Sequence, residues 1–223
     1  MQKWSYYELE KCLKNPTPLV SFREFKQYHK QFPLGISPSF ERVIAEIQSV
    51  IVGRRVCSIY FDDGTSAHIH YDGYYERFNR KGKIQSTGGT GTNTGFEKNS
   101  NHIKFAVCGK QISLERLVAV CVDISKNRMP LDYTDICANV MDGTGSIVTA
   151  QIFGCPQNFE PDNLEWCSRG ANSSHGWLSK QVFLMTNCVY RISAYDTLLK
   201  SLVKNLQKND VENYCNFNLF RVK

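Results

Sequence analysis

Two alternating runs joined by a tight turn signal constrain this chain more than any other feature. Arg55 to Phe61 alternates, Asp63-Gly64 follows, and Thr65 to Tyr71 returns. Asp-Gly suits a turn whose twist matches antiparallel strands, so the stretch predicts a β-hairpin. The neighbouring periodicities read as helices. Residues 3–14 read as a short helix ended by Asn15-Pro16-Thr17-Pro18. Ser21 and Glu24 have capping-box spacing ahead of Phe22, Phe25, Tyr28, His29 and Phe32. Ser39 is placed to cap a third helix with Phe40, Val43, Ile44, Ile47 and Val50 on one face.

Further on, residues 87–101 read as a flexible Gly/Thr/Asn loop. Its glycines do not open a helix after a buried strand, which speaks against a phosphate-binding loop. His102 to Val107 reads as a strand, Cys108-Gly109-Lys110 as a turn, and Ser113 as the cap of a helix through Leu117, Val118, Val120 and Cys121. Ser193 to Lys208 is amphipathic, with Leu198, Leu199, Leu202, Val203 and Leu206 on one side. Lys200, Lys204 and Lys208 form a basic stripe on another side. No stretch approaches the ~18 apolar residues of a membrane span, and Met1 to Lys14 lacks the apolar core of a signal peptide. A cytoplasmic location is the default expectation.

Charge divides the chain. Residues 1–76 carry nine basic and nine acidic side chains, whereas residues 77–116 carry eight basic and two acidic. Residues 117–177 carry three basic and seven acidic side chains, and residues 178–223 seven basic and three acidic. The basic segment is suited to phosphate, through Arg77, Arg80, Lys81, Lys83, Lys98 and Lys104. Nine cysteines without a Cys-x-x-Cys pair argue against a structural zinc site and for buried free thiols. His68 and His70 share a strand face, as a metal pair or as ordinary surface.

Three parts of the chain then carry a family resemblance, the third made of several pieces between residues 138 and 175. Gly73-Tyr74-Tyr75-Glu76-Arg77-Phe78-Asn79-Arg80-Lys81-Gly82-Lys83-Ile84-Gln85-Ser86 resembles a nuclease-associated module. Leu114-Glu115-Arg116-Leu117-Val118-Ala119 looks like a His-Arg-Leu-Val-Ala helix with Glu115 in the histidine's place. Asn139-Val140-Met141-Asp142-Gly143 resembles an Asn-His-x-Asp-Gly turn. Asn163-Leu164-Glu165-Trp166 resembles the matching strand, and Asn172 with His175 a closing Glu-Asn-x-x-His helix. Together they resemble the phage-type HNH homing endonucleases over residues 71–177.

The periodicities and the resemblance together give an α+β expectation: helices over 1–52, a small β module over 53–112 and a helical region over 181–223, with the resemblance adding an HNH-like ββα-metal domain over 113–180. The resemblance implies a magnesium or manganese ion held by Asn139 and Asn172, with Asn163 and Asp142 as structural residues of the site. The general base would be an imidazole at position 140, where this chain has valine. A general base contributes ~10²–10⁴ in rate, so Val140 implies a catalytically degenerate member, with His175 as the best substitute and His102 behind it. No zinc is expected. The connection from Thr144 to Asp162 is long and apolar, with Ile147, Val148, Ile152, Phe153 and Phe159.

Three functions fit these residues. The first is an HNH-derived protein of phage or mobile-element origin that binds double-stranded DNA without cutting it. The second is an inhibitor of a host defence nuclease or another host protein, anti-CRISPR-like. The third is a residual metal-dependent nickase.

Overall fold

The structure, a computed structural model, describes residues 18–31, 40–90, 102–107, 110–142, 145–146, 157–173 and 175–176. The expected helices over 3–14 and 193–208 lie outside the described residues, as does Lys98.

Five strands run as an antiparallel meander: β2 (Ile47–Val52), β3 (Val56–Phe61), β4 (Ser66–His70), β5 (Tyr74–Phe78) and β6 (Ile84–Gly89). The β3–β4 pair is the hairpin that the Asp63-Gly64 signal predicts, with Val56 opposite His70 and Tyr60 opposite Ser66. Gly64 takes φ +83°, a region open to glycine at no steric cost. Cys57, Ile59, Phe61, Ala67, Ile69 and Tyr75 point to the buried side of the sheet.

The capping box forms as the sequence indicates. Helix α1 (Phe22–Lys30) begins at Ser21, whose hydroxyl accepts from the Glu24 N–H at 3.2 Å while Glu24 accepts from the Ser21 N–H at 2.8 Å. The third helix is a correction. Helix α2 covers only Phe40–Ile44, and Ile47 to Val52 is strand β2. The apolar spacing there fits both periods. The β-branched run Val50-Ile51-Val52 and the free edge of β3 decide for strand.

The Gly/Thr loop also starts later than expected, because Thr87, Gly88 and Gly89 belong to β6. Gly88 lies under the Tyr75 ring, where an added Cβ would come within 2.4 Å of the phenol, so the absent side chain permits the close approach. The strand expected from His102 is shorter, β7 (Lys104–Val107), and His102 makes an isolated bridge to Ser146. Strand β8 (Lys110–Ser113) pairs with β7. Two short strands, β1 (Leu19–Val20) and β9 (Met129–Pro130), pair with each other.

Helix α3 (Leu114–Ser125) is the central layer. It contacts β2 and β3 of the large sheet, and also β10 (Ile136–Val140) and β11 (Leu164–Ser168). Ser113 stands at its N-cap but its hydroxyl makes no capping bond. Leu114, Leu117, Val118, Val120 and Cys121 are all buried in the shared core. At the far end of the helix, Asp123 accepts 2.8 Å hydrogen bonds from the Tyr133 hydroxyl and the Trp166 indole N–H. Burial pushes the Asp123 carboxyl up to about 7, although both donors pull the other way. The described fold is thus mixed helix and strand, with one core continuous from the large sheet to the β10–β11 pair.

Candidate functional site

Strands β10 and β11 pair antiparallel, Asn139 opposite Glu165 and Val140 opposite Leu164. A single 3-10 turn, Pro161–Asn163, leads into β11, and residues 169–173 and 175–176 after it are helical. The two faces of this hairpin differ. Val140 and Trp166 belong to the main core, with Ala138 and Leu164 packed against it. Across the ladder, Cys137 pairs with Cys167, next to Asn139 and Glu165. Cys167 forms a separate small buried cluster with Ala171 of the closing helical segment.

Asn163 is the best-anchored polar side chain here. It is 3% exposed, and its amide oxygen accepts from the Asp142 N–H at 2.9 Å. Its amide nitrogen donates to the carbonyls of Asp142 and Asn158, each at 2.8 Å. Three bonds from one side chain fix the exit of β10 to the entry of β11, while the Met141 N–H donates to the Asn163 carbonyl at 3.0 Å. The structure therefore joins Asn163 and Asp142 at the mouth of the hairpin.

The other expected residues are placed as follows. Asn139 is buried, and its amide nitrogen donates to Glu165 Oε1 at 2.9 Å across the strands. Asn172 is half-buried on the closing helical segment. His175 stands one turn beyond Ala171 on the same helical face and is also buried. Val140 is a core residue, 7% exposed. Of the apolar connection, Phe159 is fully buried and its N–H donates to the Tyr71 carbonyl at 2.7 Å, so it serves as core. Ile147, Val148, Ile152 and Phe153 lie outside the described residues.

One arrangement was not legible in the sequence. Glu115, 4% exposed, meets His102 Nδ1 at 2.9 Å beside Gly145. The bond to this carboxylate holds the imidazole above its ordinary range. The β7–β8 pairing and the Leu114 N–H bond to the Ile103 carbonyl, at 3.1 Å, bring the two residues to the same place at the start of α3. No spacing rule announces such a contact.

For a hard divalent cation the donor set is a poor fit. Asn139 and Asn172 both bring neutral amide oxygens and no charge. Among the described residues, no group of three or more His, Cys, Asp or Glu side chains is placed to hold a metal ion. His68 and His70 do share the outer face of β4, each within 4 Å of Glu76 Oε2, at 3.8 Å and 3.9 Å.

The basic residues divide between two environments. Arg80, Lys81 and Lys83 are exposed at the β5–β6 turn. There Asn79 Oδ1 accepts from the Lys81 and Lys83 N–H groups at 2.9 Å and 3.1 Å. Arg77 faces inward instead, its guanidinium 5.1 Å from the centre of the Phe105 ring. Lys104 is half-buried on β7. The described cysteines, Cys57, Cys121, Cys137 and Cys167, are free thiols. No described helix is long and apolar enough to cross a membrane. Compared with protein-family models, curated proteins and solved structures, the chain matches none.

Proposed function

We propose that this chain is an HNH-endonuclease-derived protein that binds double-stranded nucleic acid and does not cleave it. The observation that carries the reading is the exposed basic turn of Arg80, Lys81 and Lys83. This Asn79-capped turn presents three cations together at one end of the sheet, where they can neutralise phosphates of a duplex backbone. The loss of cleavage follows from position 140. Valine neither accepts a proton nor binds metal, and here it is part of the apolar core. The pinned Asn163 loop and the strand–strand–helix order support descent from the HNH scaffold.

The test is a gel-shift series on duplex DNA across salt, run beside supercoiled plasmid with Mg²⁺ or Mn²⁺. Affinity falls steeply with salt, and replacing Arg80, Lys81 and Lys83 by alanine lowers the log–log slope by about 3. Plasmid stays supercoiled. Nicking would replace this reading by the residual nickase. Absence of both binding and nicking would leave a host-protein partner as the function.

A further inference from the structure

The outer face of the five-stranded sheet carries an array of side chains that the duplex-binding reading does not use. Its residues follow from the register. Ser58, His68, Glu76 and Thr87 stand side by side on β3, β4, β5 and β6. Tyr60, Ser66, Phe78 and Ile84 form the next tier, and His70 with Tyr74 the tier on the other side. Tiers two residues apart along a strand are ~6.7 Å apart. The face is therefore ringed: His68 lies 4.7 Å from Phe78, and His70 5.3 Å from Tyr74. Tyr60 is 37% exposed and Ile84 58% exposed, and Ile51 of β2, paired with Ser58, is 59% exposed, so the face carries several exposed apolar side chains together rather than one alone.

Charge at the ends of the strands says what this face suits. The meander puts the β2–β3 turn and the β5–β6 turn at opposite ends of the sheet. Arg54 and Arg55 are exposed at the first, and Arg80, Lys81 and Lys83 at the second. The nearby acids are mostly engaged. Asp62 is held by Lys26 and Lys30, Asp63 accepts from Thr65, and Asp72 accepts from the Tyr74 N–H. Cations at both ends of a strip of rings match a chain with phosphates outside and flat faces inside. Glu76 sits mid-strip between the two imidazoles and accepts from the Tyr74 hydroxyl at 3.4 Å; there it repels phosphate but accepts from a ring N–H or amino group of a base laid over it.

We infer that this face is a stacking platform for unpaired bases, so that the protein also binds single-stranded nucleic acid along β3, β4 and β5. Stacking requires open base faces, which a duplex hides and a single strand offers. The inference rests on the nucleic-acid reading above in sharing its basic turn, but it uses a different face and predicts a different ligand.

The experiment is fluorescence anisotropy of the full chain with labelled oligodeoxythymidylate and oligouridylate of about 15 nucleotides. A DNA duplex of the same length is the control. Both single strands bind if the platform recognises bases alone; uridylate binding only would assign it to RNA. Tyr60→Ala and Phe78→Ala each weaken single-strand binding by roughly 5- to 150-fold, the range expected for one lost stacking partner. Phe78→Tyr retains binding, because it retains the ring. None of the three changes duplex binding or the salt slope, since no cation is removed. If Phe78→Ala loses its fold by circular dichroism, Tyr60→Ala decides, because its ring already stands partly in solvent.

Single-strand affinity unchanged by Tyr60→Ala overturns the inference. So does duplex binding without single-strand binding, which leaves the duplex reading intact. Failure to bind either probe at low salt overturns both. Self-association lost in Tyr60→Ala, with no oligonucleotide response, would make the face a contact between copies.

Discussion

Replacing Asn163 by alanine tests whether its side chain holds the hairpin mouth together. The side chain is 3% exposed and makes three hydrogen bonds of 2.8–2.9 Å. Alanine removes all three and leaves the Asp142 N–H and the carbonyls of Asp142 and Asn158 without that partner. A typical buried hydrogen bond contributes about 1 kcal/mol net, and an orphaned group costs about 1–3 kcal/mol. Asp142 and Asn158 are half-buried, so water reaches part of the gap and the lower end applies. The expected loss is about 3 kcal/mol, or roughly 6–12 °C in Tm for a domain of this size. Urea denaturation followed by tryptophan fluorescence reads it, because Trp166 of β11 is buried and hydrogen-bonded in the native state. Asn163→Asp keeps an acceptor for the Asp142 N–H but turns both donors into acceptors facing carbonyls. It therefore destabilises at least as much as alanine. A loss below about 1 kcal/mol for alanine would show that water replaces the amide, and the pinned-loop account would be wrong.

Three further outcomes follow from the packing and the titrating groups. Val140→Ala empties part of the core between α3 and the hairpin and lowers stability by about 2 kcal/mol, with the salt slope of duplex binding unchanged. A changed slope would place Val140 near the nucleic acid instead. The Asp123 carboxyl, raised to about 7 by burial, binds its proton more tightly in the folded state than in the unfolded chain, whose value is ~3.9. Stability thus falls as pH rises from about 4 to 7, and Asp123→Asn removes this slope, as urea midpoints across that window will read. The same sign holds for His102, whose raised value makes its contribution full below ~6.5 and lost above its folded value. Glu115→Gln lowers the His102 midpoint in an NMR titration; an unmoved midpoint would mean that the carboxylate does not set it.

Much of this fold was written in local pattern. The Asp-Gly hairpin, the Ser21–Glu24 capping box and the helix after Ser113 each arise within a few residues, where one spacing favours one structure. The three hydrogen bonds that tie Asn163 to Asp142 and Asn158 were not legible, because two of them join residues on either side of a long connection. Where two periods compete, as over Ile47 to Val50, the residues alone favour neither, and the neighbouring strand decides.

By itself the sequence determined the Asp63-Gly64 hairpin, the helix capped at Ser21 and a basic segment that follows residue 76. Tertiary structure alone decided that Val140 faces the core, that Arg77 turns inward over Phe105 while Arg80, Lys81 and Lys83 face out, and that Glu115 meets His102. The reason is range. Hydrogen-bond spacing along a strand or helix is set by adjacent residues, whereas which face is buried, and which distant charge lies within 3 Å, depends on how whole elements pack.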